Sequence, residues 1–127
     1  MTGKNIKYSN SYEYIMFDDS NIGVVGISKE ASDKLGDICL VDLPKVGKTY
    51  KKDQEVGTIE SVKVASDIFN PVDGEVIEIN EKLKTFPELI SKDPLGEGWI
   101  YKIKIADTND LNKLMDFEDF KKNVGEH

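Results

Sequence analysis

Apolar positions recur along this chain in short runs of period two, broken every few residues by turn formers, the pattern of a β-sandwich or barrel. Tyr12 to Phe17 is rich in aromatic and β-favouring residues, Asp18-Asp19-Ser20-Asn21 reads as a turn, and Ile22 to Ile27 completes a hairpin. Gly23 and Gly26 in the second strand predict either a bulge or the close approach of another group. Ser28 to Leu35 fits a short helix, with Ser28 as its cap, Glu30 at the positive end of its dipole and Gly36 as a left-handed exit. Asp37 to Leu43 is then a strand, ended by Pro44 and the Lys45-Val46-Gly47 turn, and Lys48 to Lys52 is a polar strand or loop.

The second half continues the pattern. From Gln54 to Val62 the residues Val56, Thr58, Glu60 and Val62 are expected on one face and Glu55, Gly57, Ile59 and Ser61 on the other. Asp67 to Phe69 is a short strand beyond a turn at Lys63. Gly74 to Asn80 alternates strictly, with Val76, Glu78 and Asn80 against Ile77 and Ile79. A turn of helix is expected at Pro87-Glu88-Leu89-Ile90, with Pro87 at its first position. Trp99 to Ile105 is a final strand, with Tyr101, Ile103 and Ile105 opposing Ile100, Lys102 and Lys104. From Asp107 the period moves toward 3.6: Leu111, Leu114 and Met115 make one stripe and Phe117, Phe120 and Val124 another, so two short helices are predicted over about 107–124.

Composition narrows what such a scaffold does. A chain of 127 residues with 39% hydrophobic and 32% charged residues suits one compact domain over 1–127 rather than two. No apolar run reaches the roughly 20 residues a spanning helix needs, so no membrane partner is expected. Met1 to Asn10 has neither a secretory apolar core nor transit-peptide character, which points to a cytoplasmic location. A net charge of −7 opposes wrapping of a phosphate backbone, and all 17 basic residues are lysine, so nucleic acid is not an expected partner. Cys39 is the single cysteine and is expected to be a buried small hydrophobe, while His127, the single histidine, is the last residue. Nucleophilic triads, histidine bases and thiolate metal clusters lose their ingredients.

What remains is one lysine in an unusual place. Lys63 falls between an alternating strand and a Pro/Gly-marked return, so it is presented at a hairpin turn rather than packed. As a nucleophile it has little support, because a turn exposes its tip and the nearby Glu60 and Asp67 are carboxylates rather than cations. As an attachment point for a group added by another enzyme it is well placed.

The residues Glu60-Ser61-Val62-Lys63-x-x-Ser66-Asp67-Ile68-x-x-Pro71-Val72-x-Gly74-Glu75-Val76 resemble the lipoyl attachment site of the glycine cleavage H-protein family. The stretches Val24-Val25-Gly26-Ile27-Ser28, Leu35-Gly36-Asp37-Ile38, Val41-Asp42-Leu43-Pro44 and Val46-Gly47 are similar to the amino-terminal half of that family. Glu78-Ile79-Asn80-Glu81, Pro87-Glu88-Leu89-Ile90 and Gly96-Glu97-Gly98-Trp99 are similar to its carboxy-terminal half. The resemblance implies a mainly β, lipoyl-domain-like hybrid barrel-sandwich with short peripheral and C-terminal helices. It implies lipoate in amide linkage on Lys63, with Glu60, Ser61 and Asp67 marking the lysine for a lipoate ligase or lipoyl/octanoyl transferase. The arm would take an aminomethyl group from a PLP-dependent glycine decarboxylase and yield it to a tetrahydrofolate-dependent aminomethyltransferase. Dihydrolipoyl dehydrogenase would then reoxidise it. The protein would be a carrier rather than an enzyme, because the reactive sulfurs belong to the cofactor.

The family shelters its loaded arm in a surface cleft, for which Ser11, Glu13 and Asp67 are the candidate contacts to the amine. Four positions depart from the family pattern, three of them ahead of the lysine. Its Ser-His-Glu-Trp is Ser11-Tyr12-Glu13-Tyr14, and a histidine early in the first helix corresponds to Glu30. Where those positions line the cleft, shielding differs from that of the family. Val64 stands where alanine is common after the lysine, a minor change. Two other roles keep Lys63 at the centre, a relay handing lipoate to 2-oxoacid dehydrogenase complexes and an unmodified interaction module. A biotin carrier fits less well, since its lysine sits between methionines and Lys63 sits between Val62 and Val64.

Overall fold

The computed structural model describes residues 5–123. The predicted turn at 18–21 forms because the Asp18 carboxylate supplies a local acceptor: its Oδ1 takes the Ser20 N–H at 2.9 Å and the Ser20 hydroxyl at 2.7 Å. Those donors hold the Asp18 carboxyl below its ordinary range. The flanking strands β2 (Glu13–Phe17) and β3 (Ile22–Ile27) pair antiparallel without a register shift, Glu13 opposite Ile27 and Phe17 opposite Gly23. Gly26 therefore marks a close approach and not a bulge; a Cβ there would lie 2.6 Å from the Tyr14 hydroxyl oxygen.

Helix α1 (Lys29–Leu35) is capped as its sequence demands, the Ser28 Oγ accepting from Ala31 N–H at 3.1 Å. Gly36 ends it at φ 77°, but with ψ −138°, so the exit uses glycine's wider freedom rather than the left-handed helical conformation. Strands β1 (Asn5–Tyr8), β4 (Ile38–Asp42), β5 (Thr49–Tyr50), β6 (Glu55–Ser61), β7 (Ala65–Phe69), β8 (Gly74–Ile79) and β9 (Tyr101–Ile105) complete the β structure. The order is β1-β2-β3-β9-β8-β5 in a six-stranded sheet and β4-β6-β7 in a three-stranded one, all neighbours antiparallel. Neither sheet closes on itself. The main core collects residues from both, including Ile15, Val25, Ile59, Ile68, Val76 and Ile103. Among the described residues no helix is long and apolar enough to cross a membrane.

Three local expectations need correction, and bulges explain them. In β6 the pairing with β7 shifts between Glu55 and Gly57, so Val56 and Gly57 are both buried and the strict two-face division fails. In β8 the shift between Val76 and Glu78 turns Ile77 outward, leaving it 37% exposed instead of paired with Ile79 on an inner face. In β4 a shift between Ile38 and Leu40 gives the inward positions to Ile38 and Val41. Cys39, expected to be buried, is consequently exposed.

The less regular stretch holds a 3₁₀ turn (Glu81–Lys84) and helix α2 (Leu89–Lys92), which starts two residues after Pro87. The final strand shows the predicted face, Tyr101, Ile103 and Ile105 buried. Beyond it lie a 3₁₀ turn (Thr108–Lys113) and helix α3 (Phe117–Asn123), the two short helices expected. Leu111 and Leu114 join the main core, whereas Phe120 forms a second small core with Tyr8 and Tyr14. Val124 and His127 fall outside the described residues.

A lysine stands at each end of β6. At its entrance the Lys51–Gln54 turn is closed by Gln54 N–H to Lys51 C=O at 3.1 Å, with Asp53 at φ 68°. There the Lys52 N–H donates to Asp73 Oδ1 at 2.6 Å and the Lys52 amine lies 3.8 Å from the Asp53 carboxylate. At its exit is Lys63.

Candidate functional site

Strands β6 and β7 form the predicted hairpin, with Glu60 opposite Ala65, and the chain turns over Val62 and Lys63. Ser61 is what closes it. Its N–H donates to the Val64 carbonyl at 2.8 Å, and its hydroxyl donates to the same oxygen at 3.0 Å. The same Oγ accepts from the Lys63 N–H at 3.3 Å and the Val64 N–H at 3.1 Å. The remaining tip amide, that of Val62, donates to the Asp37 carbonyl at 3.0 Å. Every backbone donor of the turn is thus answered by protein, and the tip is fixed without burial. Among the described residues Lys63 takes part in none of the ion pairs, which engage Lys29, Lys52, Lys82, Lys84, Lys102 and Lys113. Its stem passes Gly36 so closely that a Cβ there would lie 3.1 Å from Lys63 Cε. Glycine at 36 leaves that path open.

Beside the hairpin is a cleft of about 230 Å³. Its apolar walls are Ile27, Ala31, Leu35 and Ile59, and its polar groups are Ser11, Tyr12, Glu13, Lys34, Ser66 and Asp67. Ser66 of β7 is three residues from Lys63, so their backbones lie within roughly 10 Å even at the ~3.3 Å per residue of extended chain. An extended arm on the lysine spans that distance.

Glu13 dominates this cleft. It is only 1% exposed. Its Oε1 accepts from the Ser9 hydroxyl at 2.6 Å and from the Ser11 hydroxyl, and its Oε2 accepts from the Phe69 N–H at 3.0 Å. Burial raises its pKa above the ordinary glutamate value, and the hydroxyl and amide donors oppose but do not cancel that shift. Directly beneath, Asn70 is 1% exposed; its amide nitrogen donates to the Tyr50 carbonyl at 3.3 Å and to that of Val72. Its Oδ1 accepts the Tyr101 hydroxyl at 2.8 Å. Asn70 pins the end of β7, and so fixes the Phe69 N–H that Glu13 binds. Burial, then the Glu13 charge, raise the Tyr101 phenol well above its usual range.

The structure separates the sequence-chosen residues into two groups. Ser11, Glu13 and Asp67 converge on the cleft. Glu60 and Ser61 stay with the lysine turn, Glu60 exposed and paired across to Leu40 and Ala65. Asp67, given both roles by sequence, sits opposite Thr58 and lines the cleft. Sequence reasoning missed Lys34 and Asn70. Lys34 sits one turn after Glu30 on the exposed part of α1, and nothing local distinguishes it. Asn70-Pro71 was a visible turn signal that gave no hint of burial.

A family model described as glycine cleavage H-protein matches residues 6–127. The chain belongs to the glycine cleavage H-protein family. It is 47% identical over 110 residues to the glycine cleavage system H protein of Thermotoga maritima, covering 87% of this chain and 88% of that one. To that of Coprothermobacter proteolyticus it is 46% identical over 123 residues, 97% of each. The crystal structure of a glycine cleavage system H protein from Mycobacterium marinum is similar at a TM-score of 0.87 and 28% identity, covering 98% of this chain and 99% of that one. The mainly β architecture is therefore the H-protein barrel-sandwich, here with two open sheets. H proteins are the lipoyl carriers of the glycine cleavage system, a carrier component rather than a catalyst in itself.

Within the H-protein frame the three departures acquire separate places. Tyr12 lines the cleft, and the Lys34 amine lies 4.6 Å from its ring centroid and 3.2 Å from its hydroxyl. Tyr14 is fully buried and donates to the Pro94 carbonyl, its phenol raised by burial and then by the Asp93 charge. Glu30 does not line the cleft. It faces Tyr8, whose phenol is raised by burial and secondarily by the Glu30 charge. Only the first departure touches the cleft.

Proposed function

We propose that Lys63 carries lipoate in amide linkage and that the neighbouring cleft receives the arm. The observation that carries this reading is the pairing of a fixed, exposed lysine turn with a cleft that is apolar along its walls and polar at Glu13, Ser11 and Asp67. The residues fit the group: the stem has an open path over Gly36, and the walls suit an alkyl chain. Bound there, lipoate supplies a disulfide that accepts the aminomethyl group of glycine and, as a dithiol, passes on electrons.

The chain's own residues bind, orient and exclude water. Ile27, Ala31, Leu35 and Ile59 cover the alkyl part of the arm and limit water beside its cargo. Glu13, with Ser11 and Asp67, holds an ammonium group at the polar end, and a carboxylate there favours its protonated form. Ser61 and Glu60 present the lysine to a lipoate ligase or a lipoyl/octanoyl transferase. The arm is loaded by a PLP-dependent glycine decarboxylase, unloaded by a tetrahydrofolate-dependent aminomethyltransferase and reoxidised by dihydrolipoyl dehydrogenase. No side chain of this protein supplies a nucleophile or a proton donor to those reactions. Intact mass after co-expression with a lipoate ligase is expected to show one lipoyl adduct that disappears in Lys63→Ala. An adduct that survives the substitution, or none on the parent chain, overturns the assignment.

A further inference from the structure

We infer that Phe120 of α3 is a positioning residue for the cleft, acting through Tyr12. The inference rests on the reading that the cleft shelters the loaded arm. Tyr12 is one of two non-glycine residues at positive φ among the described residues, at 76°. L side chains rarely adopt that conformation, so surrounding contacts must impose it. Its backbone is held at both ends, the N–H donating to the Ser9 carbonyl at 3.2 Å and the carbonyl accepting from the Ser28 N–H at 2.8 Å. This conformation swings the ring to the mouth of the cleft, where Lys34 covers one side of it from the exposed surface.

The buried support for that ring comes from the far end of the chain. Phe120 is fully buried and meets Tyr12 edge to face, with centroids 5.6 Å apart and planes at 84°. Phe120 is in turn stacked on Tyr8 at 4.3 Å and 10°. The helix is docked by a reciprocal pair of bonds between Tyr8 and Met115, at 2.8 and 2.9 Å. No residue of α3 lines the cleft, and Phe120 belongs to the smaller core and not the main one. The ring contact that links it to the cleft lining is the one with Tyr12.

The test uses the full chain, first unmodified and then lipoylated and loaded with the aminomethyl group. In the unmodified chain, Phe120→Leu is expected to speed hydrogen exchange at the Tyr12 and Ser28 amides while leaving β6 and β7 amides unchanged. In the loaded carrier kept apart from its partner enzymes, ammonium release is expected to quicken by about two- to tenfold, the scale of one edge-to-face ring pair. Tyr12→Gly should give the same direction with α3 intact, since glycine accepts the backbone conformation and only the ring is lost. It reads the wall even where Phe120→Leu lowers stability. The double variant should release no faster than Tyr12→Gly alone, because Phe120 acts through the missing ring. Unchanged exchange and release in Phe120→Leu, or multiplied effects in the double variant, overturn the inference. Ala31→Leu, which fills the cleft, tests the underlying reading. Faster release there with none in Phe120→Leu sinks the inference alone, and unchanged release in Ala31→Leu sinks both.

Discussion

The Lys63 turn leaves two valines in water, Val62 at 70% and Val64 at 49% exposure, whereas the cleft a few residues along β7 takes the Glu13 carboxyl out of it. Each arrangement inverts the ordinary preference of its side chains. The inversions are stabilised by different means. At the turn, one serine hydroxyl and one distant carbonyl answer all three tip amides, so rigidity needs no burial. In the cleft, two hydroxyls and a backbone amide surround a group that burial penalises. On the proposed reading presentation and reception are separable: the turn would contribute chemistry and almost no stability, and the cleft floor both.

That separation can be broken experimentally. Lys63→Arg should abolish the lipoyl adduct completely while unfolding free energy stays within about 0.5 kcal/mol, as for ordinary surface changes; mass spectrometry and urea titration read the two effects. Glu13→Ala should do the reverse. The adduct persists, but the Phe69 N–H and Ser9 hydroxyl lose their acceptor, at a cost of about 1–3 kcal/mol in urea unfolding. Ser61→Ala, which removes the hydroxyl that organises the tip, should cost only about 0.5–1 kcal/mol and lower the rate of lipoylation without eliminating it.

The smallest effect is in pH dependence. Because the folded state raises the Glu13 pKa above its unfolded value, the folded state binds the proton more tightly. The Glu13 contribution is thus fully present below the ordinary glutamate range and declines as pH rises through the raised folded value. Comparing urea stability of Glu13→Gln with the parent across that window should show this downward slope in the parent and its absence in the variant. A parent curve that rises relative to the variant would contradict the burial-dominated shift.

The lysine turn was legible because it is a local feature: two alternating segments bracket it and a Pro/Gly pair marks the return. The β2–β3 hairpin and the Ser28-capped helix were legible for the same reason. Ser11, Glu13 and Asp67 were named as cleft contacts only through family resemblance, since no spacing rule brings residue 13 beside residue 69. The strict alternation read for β6 and β8 fails where bulges reset the phase, and a bulge in β4 likewise leaves Cys39 exposed. Tyr12 shows the same limit. Its sequence position suggested a strand, yet its role comes from Phe120, more than a hundred residues away.

The Lys52 turn gives this protein an internal decoy. The same strand ends in two lysine-bearing turns, and a modifying enzyme that chose by accessible amines would face a choice between them as well as among the 17 lysines of the chain. Lys52 already has a carboxylate for company and its backbone is tethered to Asp73, whereas Lys63 stands between valines, its own N–H answered by the Ser61 hydroxyl. On the proposed reading, fidelity of modification would come from contrast along one strand, and the state of Lys52 would report whether the modifying enzyme reads shape or merely charge.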